Sequence, residues 1–229
     1  MIVLGIETAT LIEGVAVVDG DRVVAEHRSH VGSTHAEHLV PTILQTLGAA
    51  GFGMKEVDGI AISIGPGSFT GLRIGLSAVK GLSLARGIPV VAVPTLDGLA
   101  YHVPFCRYSV CPILDAKRHE VYTALYRTSE GVPERLTEPR AINPEDLVTE
   151  ISEPTIFLGD GVPVYARLIR EHLGSKAHFA PNHVGLPSGS AIALLGHTLL
   201  IEGKTVDIQS VQPFYIRKSD AELKAIRGA

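Results

Sequence analysis

The sequence contains no tryptophan and only two cysteines, Cys106 and Cys111. Their C-x4-C spacing is neither a zinc knuckle nor a redox pair, so both are expected to be idle thiols in a reducing compartment, with a bridge between them the alternative. No apolar run approaches the roughly 20 residues that cross a bilayer, and "MIVLGIET" has no basic segment at its start. These absences predict a soluble cytoplasmic chain with no membrane partner. Positive charge is also scarce: 20 Lys and Arg stand against 24 Asp and Glu, a formal net charge of −4, and the densest basic spots are "AKRH" at 116–119 and "YIRKSD" at 215–220. Binding nucleic acid unaided needs a basic face to displace counterions. Any work on RNA would therefore need a partner to supply most phosphate contacts. No G-x-S-x-G nucleophile elbow occurs either.

At 229 residues, 45% hydrophobic and 19% charged, the chain is ordinary globular material with room for one large or two smaller cores. It opens with three strand-like stretches, 2–8, 14–20 and 22–30, the last two joined by a tight turn at Asp19-Gly20-Asp21. Thr34 with Glu37 spells a capping box for a helix over 34–48, in which Leu39, Ile43 and Leu47 with Val40 and Leu44 form an apolar stripe and Pro41 introduces a bend. A buried strand at 59–65, a helix over 69–86 and a strand at 89–94 complete a first unit. The second half reads as strands at 109–116 and 120–127, a helix at 144–151, a strand at 155–160, a helix at 162–174, a short strand near 177–181 and a helix at 188–203. This alternation predicts mixed α/β sheets flanked by helices. A boundary falls between about 100 and 108, dividing the chain into lobes of 1–103 and 104–229.

"SIGPGSFTGLRIG", 63–75, sits where a strand runs into a helix, the layout of an anion cradle. Gly65, Gly67 and Gly71 give G-x-G-x-x-x-G, one residue too long for a dinucleotide turn, and no Lys follows to make a P-loop. In the helix that follows, Leu72, Leu76 and Val79 line one face while Ile74, Leu82 and Leu84 point elsewhere, so more than one apolar partner is expected. Gly71 and Gly75 permit close approach of another helix, either the first helix of the same chain or a second subunit. Glu7 at the end of the first strand is a candidate carboxylate of a phosphate hairpin, against a simple strand-end turn; the presence of Leu11 and Ile12 there argues for the turn. His35 and His38 share a helix face but lack a third ligand of suitable spacing for zinc, and His27 and His30 point to opposite faces of their strand. "GDG" at 159–161 is a turn or a vestigial nucleotide loop, and "DAKRHEVY" at 115–122 a solvated hairpin tip or a partner contact.

The string "GPGSFTGLRIGLSAVKGLSLA" at 65–85 resembles the bacterial tRNA threonylcarbamoyladenosine biosynthesis protein family TsaB, also called YeaZ. The likeness continues in "IVLGIETAT" at the start, "HAEHLVP" (35–41), "PVVAVPTLDGLA" (89–100), "ILDAKRHEVY" (113–122) and "VQPFYIR" (211–217). The resemblance implies a two-lobed fold of the actin, sugar-kinase and heat-shock-ATPase (ASKHA) superfamily, with the last segment able to pack back on the first lobe. It further implies a non-catalytic subunit that scaffolds or activates a TsaD-type transferase, with a TsaE-type ATPase in the same assembly and TsaC supplying threonylcarbamoyl-adenylate. ATP and metal are then expected on partner subunits, tRNA contact only through the complex, and a homodimer when the chain is alone. TsaD-like relatives bind metal with H-x-x-x-H. Counted from His35 the second position here is Leu39, and His38 falls one residue short, so no metal or catalytic residue is assigned to this chain. Glu7 also departs from the Asp of many relatives. The expected partner-binding residues are His35, Leu39, Ile43 and Leu47 on the first helix and Leu72, Gly75, Leu76 and Val79 on the second. A stand-alone ATP-dependent phosphotransferase of the same superfamily is the alternative, with a peptidase a third and weaker reading.

Overall fold

The computed structural model describes residues 1–31 and 35–217. Strands β1 (Ile2–Glu7), β2 (Ile12–Asp19) and β3 (Arg22–His30) form an antiparallel meander. Helix α1 (His35–Ala49), strand β4 (Gly59–Ser63), helix α2 (Phe69–Arg86) and strand β5 (Val90–Val93) follow. The sheet order is β3-β2-β1-β4-β5, with β1, β4 and β5 parallel. Every residue of β1 and β4 is buried, as a strand covered on both faces requires. At the edge, β3 carries Arg22, Glu26 and Arg28 along a partly exposed strand, which discourages pairing with another sheet.

One face of this sheet packs on α1 and α2: Ile2, Leu4 and Ile6 share a core with Leu39, Ile43, Leu47 and Val79. The opposite face, with Val3, Val18, Ala61 and Val91, packs on Ile192 and Ala193 of helix α6 (Gly189–Ile201). Alternation along β1 thus assigns odd and even residues to different helices. Helix α6 lies directly on the strands because small residues meet there. A side chain at Gly14 would lie 2.6 Å from the Gly189 nitrogen, and one at Gly5 would overlap the Gly189 carbonyl.

The second lobe begins after a short helix α3 (Thr95–Ala100). Its sheet is built on β6 (Ser109–Asp115), which runs antiparallel to β7 (Val121–Thr123) and parallel to β11 (Thr155–Leu158). Short strands β8 (Tyr126–Arg127), β9 (Glu134–Arg135), β10 (Arg140–Ile142) and β12 (Ala177–Phe179) complete it, so the expected strand at 120–127 is broken in two. Helices α4 (Pro144–Glu150) and α5 (Val162–Leu173) cover one face, packing with Phe157 and Ile113. Asn143 caps α4, with Pro144 at its first position. The expected capping residue of α1, Thr34, and the side chain of His35 lie outside the described residues.

Candidate functional site

The glycine loop faces its own chain. Ser68 caps α2 by accepting the Gly71 N–H at 3.3 Å, and its own N–H donates to the Ala9 carbonyl at 2.6 Å. Gly65 N–H donates to Thr95 Oγ1 at 3.1 Å. Side chains at Gly67, Gly71 and Gly75 would overlap the Ala9 carbonyl, the Thr8 carbonyl and Thr8 Oγ1 respectively. The loop therefore seats the start of α2 on the β1–β2 turn, which explains its glycines without a phosphate. Glu7 is buried and its Oε1 accepts the Ala9 N–H, so it closes the strand-end turn.

Between the lobes lies a cleft of about 470 Å³. Thr10, Leu11, Ser68 and Phe69 line the first-lobe wall; Asp115, Lys117, Tyr122 and Asp160 line the second; Phe214 to Arg217 pass along it. The cations here are already paired: Lys117 Nζ sits 2.6 Å from Asp115 Oδ2, and Arg217 Nη1 sits 2.6 Å from Glu120 Oε2. Burial pushes the Asp160 carboxyl above the usual range; the Asp115 N–H that it accepts at 3.0 Å works against this, and the Asp115 carboxylate adds to it. Lys117, Arg118 and His119 all have positive φ (61°, 56° and 60°), a strained left-handed tip for the "DAKRHEVY" hairpin. Leu11, half exposed at 50%, occupies the hairpin position where a phosphate cradle would need small or polar residues. Cys111 is buried, its thiol pushed up to about 12 by desolvation, and inert.

The α1 and α2 residues expected to meet a partner are placed differently. Leu39, Ile43, Leu47, Leu72, Leu76 and Val79 are buried inside the monomer, at 6% exposure or less. Gly75 lies against Thr8 and Ile62 of the same chain. A sheet-facing stripe and a partner-facing stripe are both apolar, and within the single chain these residues form the first. Outward on the same helices stand Val40 (44% exposed) and Leu44 (57%), beside a groove walled by Ala36, Arg73, Ile74, Ser77 and Ala78. Leu84, at 59%, lies further along α2. His38 is exposed, and among the described residues no three His, Cys, Asp or Glu side chains gather as a metal site. No described helix is long and apolar enough to cross a membrane.

Two sheets, each flanked by helices, with a cleft between the β1–β2 turn of one lobe and the β6–β7 turn of the other, define a two-lobed protein of ASKHA architecture. The fold likeness extends to a ROK hexokinase from Thermus thermophilus, with a TM-score of 0.51 at 13% identity over 89% of this chain and 100% of that one. A model of the TsaD family, tRNA N6-adenosine threonylcarbamoyltransferase, matches residues 28–225. The tRNA threonylcarbamoyladenosine biosynthesis protein TsaB of Bacillus subtilis (strain 168) is 30% identical across 99% of this chain and 98% of its own length. The solved structure of YeaZ from Pseudomonas aeruginosa matches with a TM-score of 0.78 at 26% identity, covering 93% of this chain and 99% of that one. The chain belongs to the TsaB, or YeaZ, family of tRNA threonylcarbamoyladenosine biosynthesis proteins.

Proposed function

We propose that this chain is the non-catalytic subunit of the assembly that places threonylcarbamoyl on an adenosine beside the tRNA anticodon, and that it docks and activates a TsaD-type catalytic subunit. The observation that carries this reading is the outward face of α1 and α2. It presents Val40 and Leu44 to solvent beside a groove walled by Ala36, Ser77, Ala78, Ile74 and Arg73, in a chain that itself matches the transferase family model. A related subunit would offer a similar helix pair, and the two pairs would pack as four helices. A second copy would cover the same face when the chain is alone. The TsaE-type ATPase, ATP, metal and most of the tRNA contact then belong to partners in the cytoplasm, in keeping with a net charge of −4 and a cleft whose Lys117 and Arg217 are already paired. The same pairing, with Leu11 on the turn, argues against a stand-alone phosphotransferase.

Reconstitution from purified components tests the reading. Threonylcarbamoyl transfer is expected to require the chain together with the catalytic subunit, and the chain alone with ATP is expected to transfer no phosphoryl group. Full transfer in its absence would overturn the scaffold role.

A further inference from the structure

One stripe of α2 faces away from the sheet and meets the α1 groove only at Arg73. Phe69, Arg73 and Lys80 lie at i, i+4 and i+11, so they form a single stripe. Each holds the segment that follows α6. Lys80 Nζ donates to the Gln209 carbonyl at 3.2 Å, the Phe69 ring stacks on Tyr215 with centroids 4.6 Å apart, and Arg73 Nε donates to Tyr215 Oη at 3.1 Å. The Arg73 guanidinium also lies 3.8 Å over the Phe69 ring. Backbone bonds anchor the segment to the first sheet, from Val206 N–H to the Val90 carbonyl at 2.8 Å and from Phe214 N–H to the Ile64 carbonyl at 2.7 Å. Three residues later Arg217 reaches the other lobe through Glu120. The path from Phe214 to Arg217 forms one wall of the cleft. Arg73 holds this segment and also walls the α1/α2 groove.

We propose that residues 211–217 are a strap across the interlobe cleft whose hold is set at Arg73, so that occupation of the α1/α2 face tightens closure of the cleft. The coupling rests on the reading above that a related subunit occupies that face. Arg73 is exposed in the free chain, and water competes for its bond to Tyr215. A subunit seated on the groove excludes that water and strengthens the bond. Coupling free energies are reciprocal, so a change that loosens the strap at its far end must also weaken docking.

Amide hydrogen exchange across 211–217 reads the strap directly. In the free chain Tyr215→Phe, which keeps the stack and loses the hydroxyl, is expected to speed exchange of the bonded amides that hold the segment, Phe214 N–H on the Ile64 carbonyl foremost, by about 5-fold, the net worth of one hydrogen bond. Saturating TsaD-type subunit should slow the same amides in the parent and leave Tyr215→Phe unchanged. Glu120→Gln, on the opposite lobe, should weaken docking by about 5-fold, the low end of measured couplings. Exchange that ignores Tyr215→Phe overturns the strap. Exchange that the bound subunit leaves unchanged, or docking indifferent to Glu120→Gln, overturns the coupling. Absence of any complex by light scattering contradicts the proposed function and removes the coupling with it, while the Tyr215→Phe result in the free chain still decides the strap.

Discussion

Thr8 and Gly75 compete for the same space. The Thr8 hydroxyl is buried without a hydrogen-bond partner among the described residues, and the missing side chain of Gly75 is what admits it beneath α2. Adding a methyl there overpacks a closed contact, so Gly75→Ala is expected to destabilise the chain by about 1–3 kcal/mol. Thr8→Ala removes an unpaired hydroxyl and should restore much of that loss in the double variant. Urea unfolding of the four chains gives the coupling, and additive effects would contradict the geometry. His102 sits between two hydrogen-bond partners. Its Nδ1 lies 2.6 Å from the Val184 carbonyl, which only accepts, so Nδ1 carries the proton and Nε2 is left to accept from the Ser188 hydroxyl at 2.8 Å. Burial lowers its pKa; the Val184 bond raises it, nearby Arg28 lowers it and Glu26 raises it. With the folded value below 6.5, the unfolded chain binds more protons as pH falls through 6.5 toward the folded value, so the stability held by neutral His102 is present above 6.5 and lost through that window. Thermal unfolding between pH 7.5 and 5.5 should show this loss in the parent and a smaller one in His102→Gln; equal losses would contradict the assignment.

At the level of elements, periodicity revealed most of the architecture. The apolar runs that open β1 and β4, the cap at Ser68 and the left-handed Gly87 that ends α2 (φ 66°) are local signals, and they place the long elements within a residue or two of the reading from sequence. Several short elements were not legible, although β12 was. Helix α3 has six residues and Pro94 at its cap with no side-chain bond, while β8 and β9 have two residues each and exist only through pairing. The inward and outward faces of α1 were also hidden. Leu39 and Val40 are both apolar and adjacent, and only the position of the sheet makes one 1% and the other 44% exposed. Arg73 and Tyr215 are 142 residues apart, a separation to which no local pattern is sensitive. The glycine string was informative for a different reason: close approach to Thr8 and Ala9 requires residues without side chains at fixed spacing.

Across the whole molecule, the two faces of the α1/α2 layer differ in what they meet. The inner face, with Leu39, Ile43 and Val79, holds the first lobe together; the outer face exposes Val40 and Leu44, and it is the face proposed above to dock another chain. A charged residue on the outer face should therefore damage assembly and leave folding intact. The double variant Val40→Asp, Leu44→Asp is expected to unfold within about 0.5 kcal/mol of the parent for each exposed substitution. The most direct test measures threonylcarbamoyl transfer to tRNA by this variant in the reconstituted system, with light scattering to follow complex formation. The expected result is a folded monomer that forms no complex and supports no more transfer than the mixture lacking the chain. A folded variant that assembles and supports transfer at the parental rate would contradict it.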